Sequence, residues 1–354
     1  METPPRRPSN IVIRPFAFFF LFVFSASIFS QNYVVPRTAE GLPDISGVWN
    51  YNDSTPFERP ASYGDREFLN EEELAARIQR NALRGDAMAQ REENLAERII
   101  DAEFTDPGAY NGFWSDSEEP YTNIRSSLLV YPLNGRLPPL VDESMYQQSP
   151  PSSTPCGNDS MGTPRPVRIS WGAISCDRPE DFGLATRCVF FPHTGPPHIR
   201  GTSYNNNMEI LQTKDHVVIN AEMGNDPRII PLDGRPDLDG RITYWAGNSR
   251  GHFEGDTLVV VTKNTNSLVA SLFLRFAAYG SAENRVLTER FTRVGDSAMD
   301  YEFTIEDPDT FTDRLTAKMN LFRLDARIYE FACHEGNYAL PNMMRAARME
   351  DQQN

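Results

Sequence analysis

The sequence predicts a mainly β protein, an antiparallel up-and-down barrel, closed or open, with a helical segment ahead of it. Three observations carry this expectation. Gly251–Val261 sets the turn residues Glu254-Gly255-Asp256 directly before an apolar run rich in β-branched residues, which reads as a hairpin entering a buried strand. Met299, Tyr301, Phe303 and Ile305 alternate with Asp300, Glu302 and Thr304, the period of a half-buried strand. Links such as Lys214-Asp215 and Asp233-Gly234 favour hairpins over crossover helices.

Taken in order, residues 1–30 read as an export signal. Arg6, Arg7 and Arg14 form a basic start, Phe16–Phe24 is almost wholly apolar, and small residues follow at Ser25, Ala26, Ser27 and Ser30. The apolar run is shorter than the roughly 20 residues a membrane-crossing helix needs. Leu42–Trp49 reads as a first strand. Arg66–Phe104 reads as helix, with Asn70 and Glu73 as a capping box and Gly85 as a break. Thr105–Arg200 is rich in Pro, Gly and Ser; one strand, Ser126–Tyr131, stands out in it, and Pro150–Pro166 reads as a long surface loop.

From Asn207 the strands become regular: Met208–Gln212, His216–Glu222, Arg228–Leu232, Ile242–Trp245, Thr257–Lys263, Val286–Arg293, Met299–Ile305, Lys318–Arg323 and Arg327–Cys333. The domain organisation follows. Residues 31–206 supply a strand, the helical segment and loops packed on the barrel, 207–340 form the meander, and 341–354 form a tail.

The formal charge is −15, and loss of residues 1–30 removes one acid and three bases, leaving −17. A chain that acidic repels nucleic acid and anionic lipid surfaces, so neither is expected as a partner once the signal is cleaved. Export, to the periplasm or beyond, permits disulfides among Cys156, Cys176, Cys188 and Cys333. The favoured pairing is Cys156–Cys176 with Cys188–Cys333. No Cys-x-x-Cys or His-Glu-x-x-His spacing indicates a metal, and no nucleotide loop or other cofactor signature is present. His193-Thr-Gly-Pro-Pro-His198 has the wrong spacing and no acidic ligand for a diagnostic metal site.

Several blocks together resemble a large family of exported bacterial proteins with no assigned reaction. They include Arg125–Leu140, Ala185–Cys188, Arg228–Arg235, Trp245–Val260, Glu289–Arg293, Tyr301–Asp309 and Tyr329–Tyr338. Separately, Gly47-Val48-Trp49 resembles the opening strand of lipocalin-type barrels, in which the Trp plugs one end. These resemblances imply export and a lipocalin-like barrel, and no chemistry.

Candidate site residues come from the strand faces. On an extended Arg327–Cys333 strand, Glu330 and His334 share a face, and Gly336 allows Glu335 to bend toward them; a carboxylate beside an imidazole suits acid/base work. Glu222 and Asn220 share a polar face of His216–Glu222. Arg235 can clamp a carboxylate or brace its own turn through Asp233, and Tyr244 and Trp245 can stack on an apolar ligand. Glu330, His334 and Glu222 are therefore the candidate catalytic groups, and Asn220, Arg235, Tyr244, Trp245 and Glu335 the candidate ligand contacts. Two functions remain open: an exported binding protein for a small, mainly apolar molecule, or a cofactor-independent isomerase, lyase or hydrolase on the same scaffold.

Overall fold

The computed structural model describes residues 33–83, 123–148, 162–170, 173–200, 204–224, 226–275 and 277–352. The expected signal, the helical stretch beyond residue 83 and most of Pro150–Pro166 lie outside them. The strands are β1 (Gly47–Asn50), β2 (Leu129–Tyr131), β3 (Tyr146–Gln148), β4 (Asn207–Gln212), β5 (His216–Ala221), β6 (Arg228–Pro231), β7 (Asn248–Glu254), β8 (Thr257–Lys263), β9 (Leu272–Leu274), β10 (Ala277–Tyr279), β11 (Val286–Arg293), β12 (Ala298–Glu306) and β13 (Leu315–Leu324). Helix α1 covers residues 71–83, α2 Arg165–Ile169 and α3 Ala339–Asp351.

Nine strands form a nearly closed antiparallel barrel in the order β6-β5-β4-β1-β13-β12-β11-β8-β7. The expected mainly β, lipocalin-like up-and-down architecture is therefore present. The strand preceding the meander is integral to it, because β1 pairs with β4 on one side and the end of β13 on the other. β2 takes the other half of β13, across a register shift at Thr316/Ala317. A separate three-stranded sheet runs β3-β10-β9.

Parity determines how the ring closes. Nine strands, each antiparallel to the next, leave the first and last, β6 and β7, running the same way. They cannot be joined by a hairpin, so the chain must run back along the barrel through residues 232–247 before β7 begins. Asp233-Gly234 opens that return and is not a hairpin link. β6 and β7 lie side by side without a ladder between them. A Cβ on Gly251 would sit 2.8 Å from Ile230 Cγ2 and 3.0 Å from Leu232 Cδ2, so side chains of one strand rest directly on the backbone of the other. The β7–β8 turn is as expected: Glu254 pairs with Thr257, and Gly255 takes φ +60° at the first turn position.

Period-2 burial fills the interior. Met299, Tyr301, Phe303 and Ile305 of β12 are at most 1 % exposed, and Leu287, Glu289 and Phe291 of β11 are fully buried beside them. Full burial of each large apolar side chain stabilises by about 1.5–3 kcal/mol. Trp49 is fully buried in the core. The Trp49 indole donates to the Ile45 carbonyl at 3.0 Å, and Arg293 lies 6.0 Å from the indole ring while donating to the carbonyls of Asp44, Gly295 and Asp296.

At the start of α1, Asn70 and Glu73 form the expected capping box: the Glu73 N–H donates to Asn70 Oδ1 at 2.8 Å and the Asn70 N–H to Glu73 Oε2 at 2.9 Å. Cys188 and Cys333 are bonded as expected, and Cys176 is also in a disulfide. Two expected strands are absent. Tyr244 makes one isolated bridge to Thr265, and Arg327–Cys333 forms no ladder. The reason for the second is that both edges of β13 are already paired, with β12 on one side and β1 and β2 on the other. Residues expected as a tail form α3 instead, packing Leu340, Met343, Met344 and Ala347 against Ala173, Cys176 and Phe182.

Candidate functional site

The barrel interior carries a buried polar chain. β11 alternates, so Glu289 points inward between Leu287 and Phe291; β12 does the same with Tyr301. β6 turns Arg228 and Ile230 inward and Ile229 outward. Arg228 Nη1 donates to Glu289 Oε2 at 2.7 Å, with the two side chains 4 % and 0 % exposed. Tyr301 Oη donates to Glu289 Oε1 at 2.8 Å and accepts the backbone N–H of His198 at 3.1 Å. Taking two charges out of water is costly, so such a pair is weak evidence for net stabilisation, but removing one member is strongly destabilising.

His198 arrives on the loop after a single turn at Pro192–Thr194. Its ring sits 5.6 Å from the ring of Tyr51 and 6.3 Å from that of Tyr301. Burial, and then the Arg228 charge, lower its pKa from the ordinary 6.5 to about 4, with Glu289 and the Thr194 backbone pulling the other way. The imidazole is thus neutral at pH 7. Burial and the neighbouring Glu289 carboxylate hold the Tyr301 phenol well above its ordinary value, so it stays a donor.

Arg228 and His198 line a narrow, partly open cleft of about 30 Å³. Its other walls are chiefly apolar: Val189, Phe190, Phe191, Ile219, Ala221, Met223 and Ala246. Asp226 stands at its rim, its carboxyl raised by partial desolvation. Among the described residues, Nε and Nη2 of Arg228 have no hydrogen-bond partner, and the Thr194 backbone lies against the His198 ring. Buried donors without partners cost about 1–3 kcal/mol each, more when charged, so a cleft lined by them is an unusual feature for packing alone.

The residues nominated from sequence lie elsewhere. Glu330 and Glu335 are exposed and line an open groove with Tyr329, Thr186 and Met343. His334 is exposed nearby. Glu222 is buried just past β5, accepting Asn207 Nδ2 at 2.7 Å and the Tyr329 N–H at 3.1 Å, so it fastens the post-barrel segment to the end of β5. Asn220 is half-buried on the opposite face of β5 from core residues Val217 and Ile219. Arg235 is exposed and chelated by Asp233. Tyr244 is 49 % exposed, and Trp245 packs half-buried on the cluster containing Ile169, Leu184 and Phe190. The structure brings Glu330 and Glu335 into one groove, and it does not bring them to Trp245 or Arg235.

Sequence reasoning missed Arg228, Glu289, Tyr301 and His198 as a unit. A signal was present: Glu289 occupies an inward position of an otherwise apolar strand face. Among the described residues no group of three or more His, Cys, Asp or Glu side chains is placed to hold a metal ion. A scan against family models and searches of curated proteins and of solved structures found no match.

Proposed function

We propose that the chain is an exported protein that binds a small, mainly apolar molecule in the cleft lined by Arg228 and His198. The observation that carries this reading is the pairing of apolar walls with two buried polar side chains, His198 and an Arg228 whose Nε and Nη2 have no partner. The barrel interior is filled by side chains, so a ligand would sit against the wall and not inside the ring. The Cys188–Cys333 disulfide suits an oxidising compartment, as do the N-terminal signal features and the resemblance to exported proteins. An imidazole that stays neutral down to about pH 4 is a hydrogen-bonding group and a poor proton acceptor at neutral pH, which favours holding over turnover.

The test is titration of the mature, oxidised protein with the neutral fluorescent probe N-phenyl-1-naphthylamine. The expected result is saturable uptake at one site, lost in Ala221→Trp, which fills the cleft. No saturable uptake, or equal uptake by a folded Ala221→Trp variant, refutes the reading. Native mass spectrometry of protein taken from its own compartment then identifies any retained molecule.

A further inference from the structure

The sequence marks Arg327–Cys333 as a strand, yet the ring has no edge left for it. Arg327–Ala332 runs without a bend, a turn or a ladder. Two anchors hold it: the Tyr329 N–H donates to Glu222 Oε1 at 3.1 Å, and Cys333 is bonded to Cys188. Successive backbone groups of an extended chain point to opposite edges, so Tyr329 turns one edge inward while Ile328, Glu330 and Ala332 carry the other. Among the described residues, the N–H groups of these three and the carbonyls of Ile328 and Glu330 have no hydrogen-bond partner. Unpaired backbone along an exposed edge is a template for another strand.

The groove along this segment has room for about 730 Å³. Its lining includes Tyr329, Phe331 and Met343 and two carboxylates, Glu330 and Glu335, with no Lys, Arg or His. Arg327 and His334 are exposed beside it but do not line it. Neither carboxylate is hydrogen-bonded or ion-paired among the described residues, so both are free to meet a cation. A second copy of this chain is a poor occupant, because its formal charge is −15. We propose that the groove takes an extended basic peptide segment of a partner protein, its main chain pairing with Ile328, Glu330 and Ala332 and its Lys or Arg side chains meeting Glu330 and Glu335. The site is separate from the cleft at Arg228. An extended chain rises about 3.3 Å per residue, so Arg327–Ala332 offers an edge about 20 Å long, enough for five or six partner residues. The two anchors fix that edge before binding, so less freedom is lost than in the capture of a loose loop.

The experiment is fluorescence anisotropy at pH 7.5 and about 0.15 M salt, with the amidated peptide Lys-Val-Lys-Val-Lys labelled at its N-terminus and titrated with the mature, oxidised protein. Saturable binding is expected, and the Glu-Val-Glu-Val-Glu counterpart is expected to bind at least about 10-fold more weakly. Two N-methylated forms of the basic peptide, one methylated at its lysines and one at its valines, separate main-chain pairing from charge attraction. A docked strand turns only one of those sets toward its neighbour, so one form should lose at least about 10-fold and the other stay within about 3-fold of the parent. Glu330→Gln with Glu335→Gln should weaken the parent peptide at least about 3-fold. Both side chains are exposed, so that variant keeps the folded state. No saturable binding, equal binding of the acidic peptide, loss in both methylated forms or in neither, or an unchanged affinity in the double variant overturns the proposal. The cleft takes no part in these measurements, so the small-molecule reading and this one fail separately.

Discussion

Protonation of His198 should destabilise the protein through a defined window of acid pH. The unfolded chain takes up the proton at the ordinary 6.5, and the native ring resists it down to about 4. Between those values the unfolded state holds more protons, so stability is complete above pH 6.5, falls as pH drops, and levels off below about 4. The slope approaches about 1.4 kcal/mol per pH unit, and the accumulated loss is about 2.5 kcal/mol at pH 4.5. The ring is fully buried, so solvent screening does not erode this figure. The charged and titratable groups around it are Arg228, Glu289, Tyr301 and, at the cleft rim, Asp226. Asp226 works in the opposite direction, since a raised carboxyl gains native-state stability as it protonates.

The difference between two proteins removes those other contributions. Urea unfolding of the wild type and of His198→Gln, each at pH 7.5 and 4.5, should show the wild type losing about 2.5 kcal/mol more than the variant over that interval. Imidazole carbon-proton spectra give the site directly: one histidine should remain neutral at pH 5. Parallel stability profiles in the two proteins, or a His198 resonance titrating near 6.5, would refute the reasoning.

Three further outcomes follow from the same structure. Glu289→Gln leaves the buried Arg228 guanidinium without its counter-charge and should cost about 3–5 kcal/mol in urea unfolding, whereas Tyr301→Phe, losing the bonds to Glu289 and the His198 N–H, should cost about 1–3 kcal/mol. The Cys188–Cys333 bridge spans 145 residues, so Cys188→Ser with Cys333→Ser should lower stability by at most about 5 kcal/mol, read as a drop in the urea midpoint with the wild-type protein kept oxidised. Gly251→Val pushes a side chain into Ile230 and Leu232 and should cost about 1–3 kcal/mol, with faster amide hydrogen exchange along β6 than along β12.

The strands were legible where one face is dry and the other wet. β8, β11 and β12 follow from alternation and from the Glu254-Gly255-Asp256 turn, and the Asn70/Glu73 cap from its spacing. Arg327–Cys333 misleads because it alternates well enough for a strand, and whether a strand finds a neighbour is a property of the whole ring. α3 carried a helical signature in Leu340, Met343, Met344 and Ala347, but Tyr338 offers no side-chain cap and the segment is too polar to stand out. The site was hidden for a related reason. Glu330 and His334 look functional because residues four apart share a face of an extended strand, whereas Arg228, Glu289, Tyr301 and His198 are assembled from three strands and a loop by the barrel.

The odd strand count connects architecture to site. Nine strands leave β6 hydrogen-bonded to β5 alone, with side chains and Gly251 closing the other flank. Arg228 is the first residue of that singly held strand, and the return segment forced by parity delivers Ala246 to the opposite wall of the cleft. The cleft and its guanidinium therefore lie beside the one strand pair of the ring that forms no ladder. A ligand bridging Arg228 to Ala246 and Phe190 would supply part of the cohesion that the missing hydrogen bonds do not. Binding should therefore slow amide exchange in β6 more than in any strand held on both sides, through mass action on the local opening of that seam.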